Sequence, residues 1–168
     1  MITAEQIIEH FCMKPLPDEG GYYVETYRCK EMIEQASLPA EYTDSRNLAT
    51  AILYLLTPNT FSALHRLRSD EVFHFYLGDP VTMLQLQPDG GGQVITLGRD
   101  ITANQQIQVP VPAGVWQGCL LNQGGEFALM GTTVTPGFEF ADFELGDRQI
   151  LLHEYPEYKD LIIRLTRE

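Results

Sequence analysis

Three polar side chains set the chemistry this sequence can offer. His65 and Glu71 lie in "SALHRLRSDEVFHFYLG" at 62–78, and Gln117 lies in "VPAGVWQG" at 111–118. A carboxylate beside an imidazole in a half-apolar pocket fixes the tautomer and pKa of the ring, so the pair can take or give a proton. The same three residues, His65, Glu71 and Gln117, are the donors for any metal. Transition metals favour two or more imidazoles or thiolates, because amide oxygens bind them weakly. Mg²⁺ or Ca²⁺ would want more oxygens. The donor set falls short of a tight site, so acid–base chemistry is the expectation and no cofactor is assigned. A divalent metal on those three residues stays as the alternative.

Strand parity decides who can share a pocket. Side chains alternate faces along a strand. If His65 points inward, Phe61, Ala63 and Leu67 go with it; Glu71 likewise carries Phe73 and Phe75 inward. Val72, His74 and Tyr76 then face the other way, so His74 stays out of the site unless a bulge resets the phase. Gln117 should face inward with Cys119. Gln117, Phe73 and Phe61 are therefore the expected substrate-binding residues, with His65 and Glu71 catalytic.

The elements that must hold these residues are mostly strands. From 48 to 145, about nine short β-rich runs alternate with turn residues such as "GDP", "PDGGG" and "NQGG", the pattern of an antiparallel sandwich or barrel. "LATAILYLL" at 48–56 is apolar on both faces, as a central strand should be. "YYVETYR" at 22–28 reads as one further strand, and 30–47 as a long loop with at most a helical turn. "FEFADFEL" at 138–145 reads as the last strand. Its Phe138, Phe140 and Phe143 are expected to pack the barrel or an interface, and Glu139, Asp142 and Glu144 to form a solvated face.

Helices are expected at the two ends. Thr3 and Gln6 make a capping-box pattern before a short helix at about 4–12. Asp147 can cap a C-terminal helical region at about 147–167, in which Pro156 opens a second helix that buries Leu161, Ile162 and Leu165. No repeat or linker interrupts the chain, so a single domain over 1–168 is expected.

Composition narrows the partners. The 168 residues carry 11 basic and 23 acidic side chains, a net charge of −12, which disfavours nucleic acid and anionic membrane surfaces. No apolar run is long enough to span a bilayer, and the N-terminus lacks the features of a signal peptide. Cys12, Cys29 and Cys119 are odd in number and widely spaced, which suits free thiols in a cytoplasmic protein.

The motifs resemble those of the cupins. In their first motif (a Gly, five residues, H-x-H, three or four residues, Glu, six residues, Gly), His65, Glu71 and Gly78 match, while Leu67 replaces the second His. In the second motif (P-x-G-x-x-H, then Asn), Pro112 and Gly114 match, Gln117 replaces the His, and Leu121 stands at the Asn position. The stretches "EGGYYVETYR", "FSALHRLRSDEVFHFYLGDP", "VPAGVWQGCLL" and "TPGFEFADFELG" are similar to a subfamily of uncharacterised cupins, the DUF985 or cupin_5-like group. The resemblance implies an all-β, RmlC-like jelly-roll barrel (a double-stranded β-helix) over about 48–145 and a homodimer that binds a small molecule. It also brings in the metal-free sugar-nucleotide epimerases of the superfamily, which use a barrel His as base and a Tyr as acid. By that analogy His65 and Glu71 would serve an isomerisation or epimerisation of a small carbohydrate-like metabolite. Tyr54, Tyr22 or Tyr23 would be the acid, and Arg28, Arg66 and Arg68 the nearest groups for a diphosphate. A non-catalytic ligand-binding or sensing cupin, or a metal-dependent enzyme with a degenerate ligand set, are the alternatives.

Overall fold

A computed structural model describes residues 2–167; Met1 and Glu168, the outer limits of the expected domain, lie outside the described residues. In chain order the elements are α1 (Ala4–His10), β1 (Lys14–Pro15), β2 (Tyr22–Arg28), β3 (Met32–Ile33), β4 (Arg46–Asn47), β5 (Thr50–Leu56), β6 (Phe61–Leu67), β7 (Asp70–Gly78), β8 (Val81–Leu86), β9 (Gly92–Leu97), β10 (Gln108–Val111), β11 (Trp116–Leu121), β12 (Ala128–Thr135), β13 (Phe143–Leu145), α2 (Arg148–Glu154) and α3 (Lys159–Leu165). Two antiparallel sheets face each other in a jelly roll. One runs β1-β2-β5-β12-β7-β10, the other β13-β6-β11-β8-β9.

Alternation sorts the apolar residues into three layers. Tyr54, Phe73, Phe75, Met83, Cys119 and Met130 meet between the sheets. The outer face of the five-stranded sheet carries Leu64, Leu84, Leu86, Trp116 and Leu120, covered by Leu151 of α2 with Ile162 and Leu165 of α3. The outer face of the six-stranded sheet carries Leu55 and Leu129 beneath Ile7 of α1. Strand β5 is apolar on both faces because Tyr54 and Leu56 point into the interior while Leu55 meets α1. Each side chain of this size stabilises the fold by about 2 kcal/mol through water exclusion. No helix among the described residues is long and apolar enough to cross a membrane.

The expected caps form. Thr3 Oγ1 accepts from Gln6 N at 3.3 Å and Gln6 Oε1 accepts from Thr3 N at 3.0 Å. Asp147 Oδ1 accepts from Ile150 N at 3.0 Å, satisfying a donor that the first turn leaves free. Helix α1 ends sooner than expected, with Phe11 as its C-cap and Cys12 at φ 52°.

Two other stretches differ from expectation. The 30–47 loop contains the two-stranded ladder β3–β4 and a 3₁₀ turn at Gln35–Ser37. Of "FEFADFEL" only Phe143–Leu145 is strand; Phe140–Asp142 is a 3₁₀ turn. The reason is a buried ion pair. Arg46 holds both oxygens of Asp142, through Nε at 2.7 Å and an Nη at 2.8 Å, and pulls the 138–142 segment off the sheet. Asp142 is therefore buried, not on the solvated face expected of it.

A β-bulge in β6 shapes the site. Gln117 pairs with His65 and Cys119 with Ser62, so Ala63 and Leu64 together oppose Gly118. The extra residue resets the phase. His65 and Ser62 both face the interior, and Phe61 turns outward onto the layer beneath α2 and α3, where Arg167 lies over its ring. Gly118 admits the bulge: a Cβ there would lie 2.9 Å from Ser62 O and 3.0 Å from Leu64 N.

Candidate functional site

The interior opens into a cavity of about 230 Å³ whose walls include Glu19, Tyr23, Arg28, Tyr54, His65 and Glu71, with Phe138, Glu139 and Phe140 on one side. His65, Glu71 and Gln117 converge at this end and are 2%, 7% and 1% exposed. Gln117 Nε2 donates to His65 Nε2 at 2.7 Å and to Glu71 Oε2 at 2.9 Å.

These bonds fix the protons. His65 Nδ1 lies 2.7 Å from Ala63 O; a carbonyl only accepts, so Nδ1 carries the hydrogen. Nε2 then accepts from the amide, and the imidazole is neutral. The bulge supplies this anchor, since Ala63 O takes the ring proton while Ala63 N donates to Glu19 O at 2.9 Å. Phe143 stacks on the imidazole ring, with centroids 5.0 Å apart. Both amide hydrogens of Gln117 are used, and among the described residues its buried Oε1 has no partner.

Burial, above all, pushes the Glu71 carboxyl up to about 7; the positive charge that His65 carries only when protonated would pull it down, the charge of Glu19 pushes it further up, and a Thr132 hydrogen bond lowers it. Burial likewise drives the Tyr54 hydroxyl well above its usual range, and that hydroxyl donates to Gly20 O at 2.8 Å. Burial also pushes the Cys119 thiol up, so it stays protonated.

Not every expected residue reaches the cavity. Phe61 faces the helical layer because of the bulge. Phe73 is inward but belongs to the packed interior behind the cavity, outside its lining. His74 lies on the outer face, as parity requires, between Thr133 Oγ1 and Gln108 Nε2, each at 3.2 Å. Of the three tyrosines, Tyr23 and Tyr54 line the cavity, and Tyr22 packs toward α1. The three arginines do not cluster. Arg28 sits in the cavity wall, Arg66 stacks on Trp116 and forks Glu144 at 2.8 and 2.9 Å, and Arg68 donates to Glu41 O. Trp116 is thus part of the outer layer.

Glu19, Phe138, Phe140 and Phe143 complete the site without having been expected there. Glu19 stands before a Gly-Gly turn with φ of 102° and 71°; a Cβ on Gly21 would lie 2.8 Å from Tyr54 Oη, so the turn can lie flat on that ring. Its carboxylate accepts from Ser62 Oγ at 2.9 Å and approaches His65 Nε2 to 3.8 Å. A charged residue directly before a tight turn was its one signal in the sequence.

The donor chemistry does not suit a metal ion. The one inward imidazole aims Nε2 at an N–H rather than at open space, and among the described residues no three His, Cys, Asp or Glu side chains are grouped to hold a metal ion.

The two facing sheets, the Pro112–Gly114 turn and the inward His–Glu–Gln trio define a cupin-type jelly roll. Residues 5–146 match the family model described as Cupin superfamily (DUF985), and the chain belongs to that family. It is 28% identical over 151 residues to the uncharacterized protein YML079W of Saccharomyces cerevisiae, spanning 84% of this chain and 71% of that protein. Protein SO0799 from Shewanella oneidensis superposes with a TM-score of 0.85 at 34% identity, over 99% of both chains. A hypothetical protein from Leishmania major gives 0.88 at 28% identity, over 99% of this chain and 100% of that one. Oxalate decarboxylase of Bacillus subtilis shares the fold alone, at 14% identity and a TM-score of 0.54, over 94% of this chain and 39% of that one.

Proposed function

We propose that this cupin binds a small metabolite in the cavity and moves a proton on it, with Glu71 as the proton carrier. The observation that carries this is a buried carboxyl in the cavity wall that titrates at about 7, where a group can both take and return a proton near neutral pH. The expected roles shift accordingly. His65 has both nitrogens engaged within the protein, so with Gln117 it orients Glu71. Proton abstraction next to a carbonyl, as in an isomerisation or epimerisation, is the reaction class that needs only this. Tyr54 is poorly placed as the acid, since its hydroxyl is held by Gly20 O. A nucleotide diphosphate has no support, because Arg66 and Arg68 lie outside the cavity lining.

Solvent deuterium wash-in tests the proposal. Small carbonyl metabolites from an extract are incubated with the protein in D₂O and followed by NMR. Wild type should label one species at the carbon beside its carbonyl, and Glu71→Gln should not. Equal labelling by both proteins refutes the role of Glu71. No labelling by either favours the second reading, a non-catalytic binding module, which the fully engaged imidazole of His65 and the spent amide hydrogens of Gln117 support.

The proposed macromolecular partner is a second copy of the chain. Among the described residues, strand β10 leaves one edge unpaired beside exposed Ile107 and Tyr76, and such edges are normally covered. Light scattering at micromolar concentration should give the mass of a dimer; a monomer mass refutes it.

A further inference from the structure

The polar lining of the cavity is rich in hydrogen-bond acceptors and short of donors. Building on the small-molecule reading above, we propose that its ligand is a small organic cation, with its ammonium group where Glu19 and Glu71 flank His65 and its apolar part against the rings of Tyr23, Tyr54 and Phe138.

Charge comes first. Four carboxylates line the cavity, Glu19, Glu25, Glu71 and Glu139, against one guanidinium, Arg28, and the neutral imidazole of His65. Arg28 is not free to receive an anion. Its Nε and one Nη donate to the two oxygens of Glu25 at 3.0 and 2.8 Å. Its remaining N–H groups go to Asn47 Oδ1 at 2.8 Å, Glu139 Oε1 at 2.7 Å and Phe138 O at 3.3 Å. That accounts for all five donors of a guanidinium.

The other donors are similarly spent. Gln117 uses both amide hydrogens on His65 and Glu71, Tyr54 gives its hydroxyl to Gly20 O, and Ser62 gives its own to Glu19. Among the described residues, hydroxyls such as those of Tyr23 and Thr50 in the lining remain to donate. Acceptors are left over: Glu19 Oε2 has His65 Nε2 no nearer than 3.8 Å, and Gln117, bonded to both His65 and Glu71, has a buried Oε1 with no donor among the described residues. An ammonium offers three donors and no acceptor, which is the complement of this lining. Aromatic faces add attraction for a cation within about 6 Å of a ring centroid. A carboxylate or phosphate would meet like charge in a site partly screened from water, and like-charge contact excludes ligands strongly.

Isothermal titration of the full chain at about pH 8, where simple amines and carboxylates are both ionised, separates the ligand classes. The probes are butylammonium, 1-butanol, butyrate and butyl phosphate, which share one alkyl chain. Butylammonium should bind at a single saturable site at least about tenfold more tightly than butanol, and the two anions should show no saturable heat, as charge complementarity requires. Glu19→Gln should weaken butylammonium about tenfold, whereas Glu144→Gln, whose carboxylate pairs with Arg66 outside the cavity, should leave it unchanged. An anion or the alcohol binding as tightly as the amine overturns the proposal, as does absence of amine binding or indifference to Glu19→Gln. The four-probe comparison on wild type needs no variant to fold. Because the readout is binding without turnover, this proposal can fail while Glu71-dependent deuterium wash-in succeeds, and the reverse.

Discussion

Replacing Glu71 by Gln removes a charge that the fold holds against the preference of water. The buried carboxyl titrates at about 7 instead of its ordinary 4.5. At about 1.4 kcal/mol for each tenfold in proton affinity, ionised Glu71 destabilises the native state by about 3 kcal/mol. Below about pH 4.5 the group is protonated in both states and the penalty is absent. Between about pH 4.5 and 7 the unfolded chain releases the proton that the folded chain keeps. The unfolded state then binds fewer protons, and stability falls as pH rises. Above about pH 7 the penalty is complete. Glu71→Gln keeps an acceptor for Gln117 while lacking the charge; allowing about 1 kcal/mol for an imperfectly rebuilt hydrogen bond, it should be about 2 kcal/mol more stable than wild type at about pH 8. Urea denaturation of both proteins between about pH 4.5 and 8 measures this. The gap should close towards the acid end. A gap that is constant with pH, or that widens as pH falls, would show Glu71 ionising like an ordinary surface carboxylate and would remove the proton carrier from the mechanism. A destabilising group kept at a cavity wall is what a functional site predicts.

Two further outcomes concern Glu19 and the buried Arg46–Asp142 pair. The charge of Glu19 helps to raise the Glu71 carboxyl, so Glu19→Gln should move its midpoint below 7, read by carbon-13 NMR of the side-chain carboxyl; an unchanged or higher midpoint contradicts the coupling. Asp142→Ala strands the buried guanidinium of Arg46 and should cost about 4 kcal/mol of stability in urea. Because Asp142 anchors the segment that carries Phe138 and Phe140, amine binding should weaken with it; a loss under about 1 kcal/mol would show the pair to be dispensable.

Legibility in the sequence followed the range of the interactions involved. Period-two alternation made β7 readable, and Glu71, Phe73 and Phe75 face the interior while His74 does not. The same rule failed on β6 because a bulge adds one residue to the count. Nothing local marks it: the room for it comes from Gly118 on the neighbouring strand, and its N–H is satisfied by Glu19, 44 positions earlier in the chain. Phe61 was misplaced for that reason. "FEFADFEL" alternates as a strand would, yet the buried Arg46–Asp142 pair bends it away and delivers Phe138 and Phe140 to the cavity.

The sequence by itself determined the family, the nine-strand run, the capped terminal helices and the nearness of His65, Glu71 and Gln117, because these rest on local periodicity and on short motifs. Only the tertiary structure decided which proton sits on His65, that Glu19 is a second carboxylate at the site, and that Arg28 is fully occupied. Those features depend on hydrogen bonds between residues far apart in the chain, and burial, which sets the Glu71 proton, is a property of the assembled sheets.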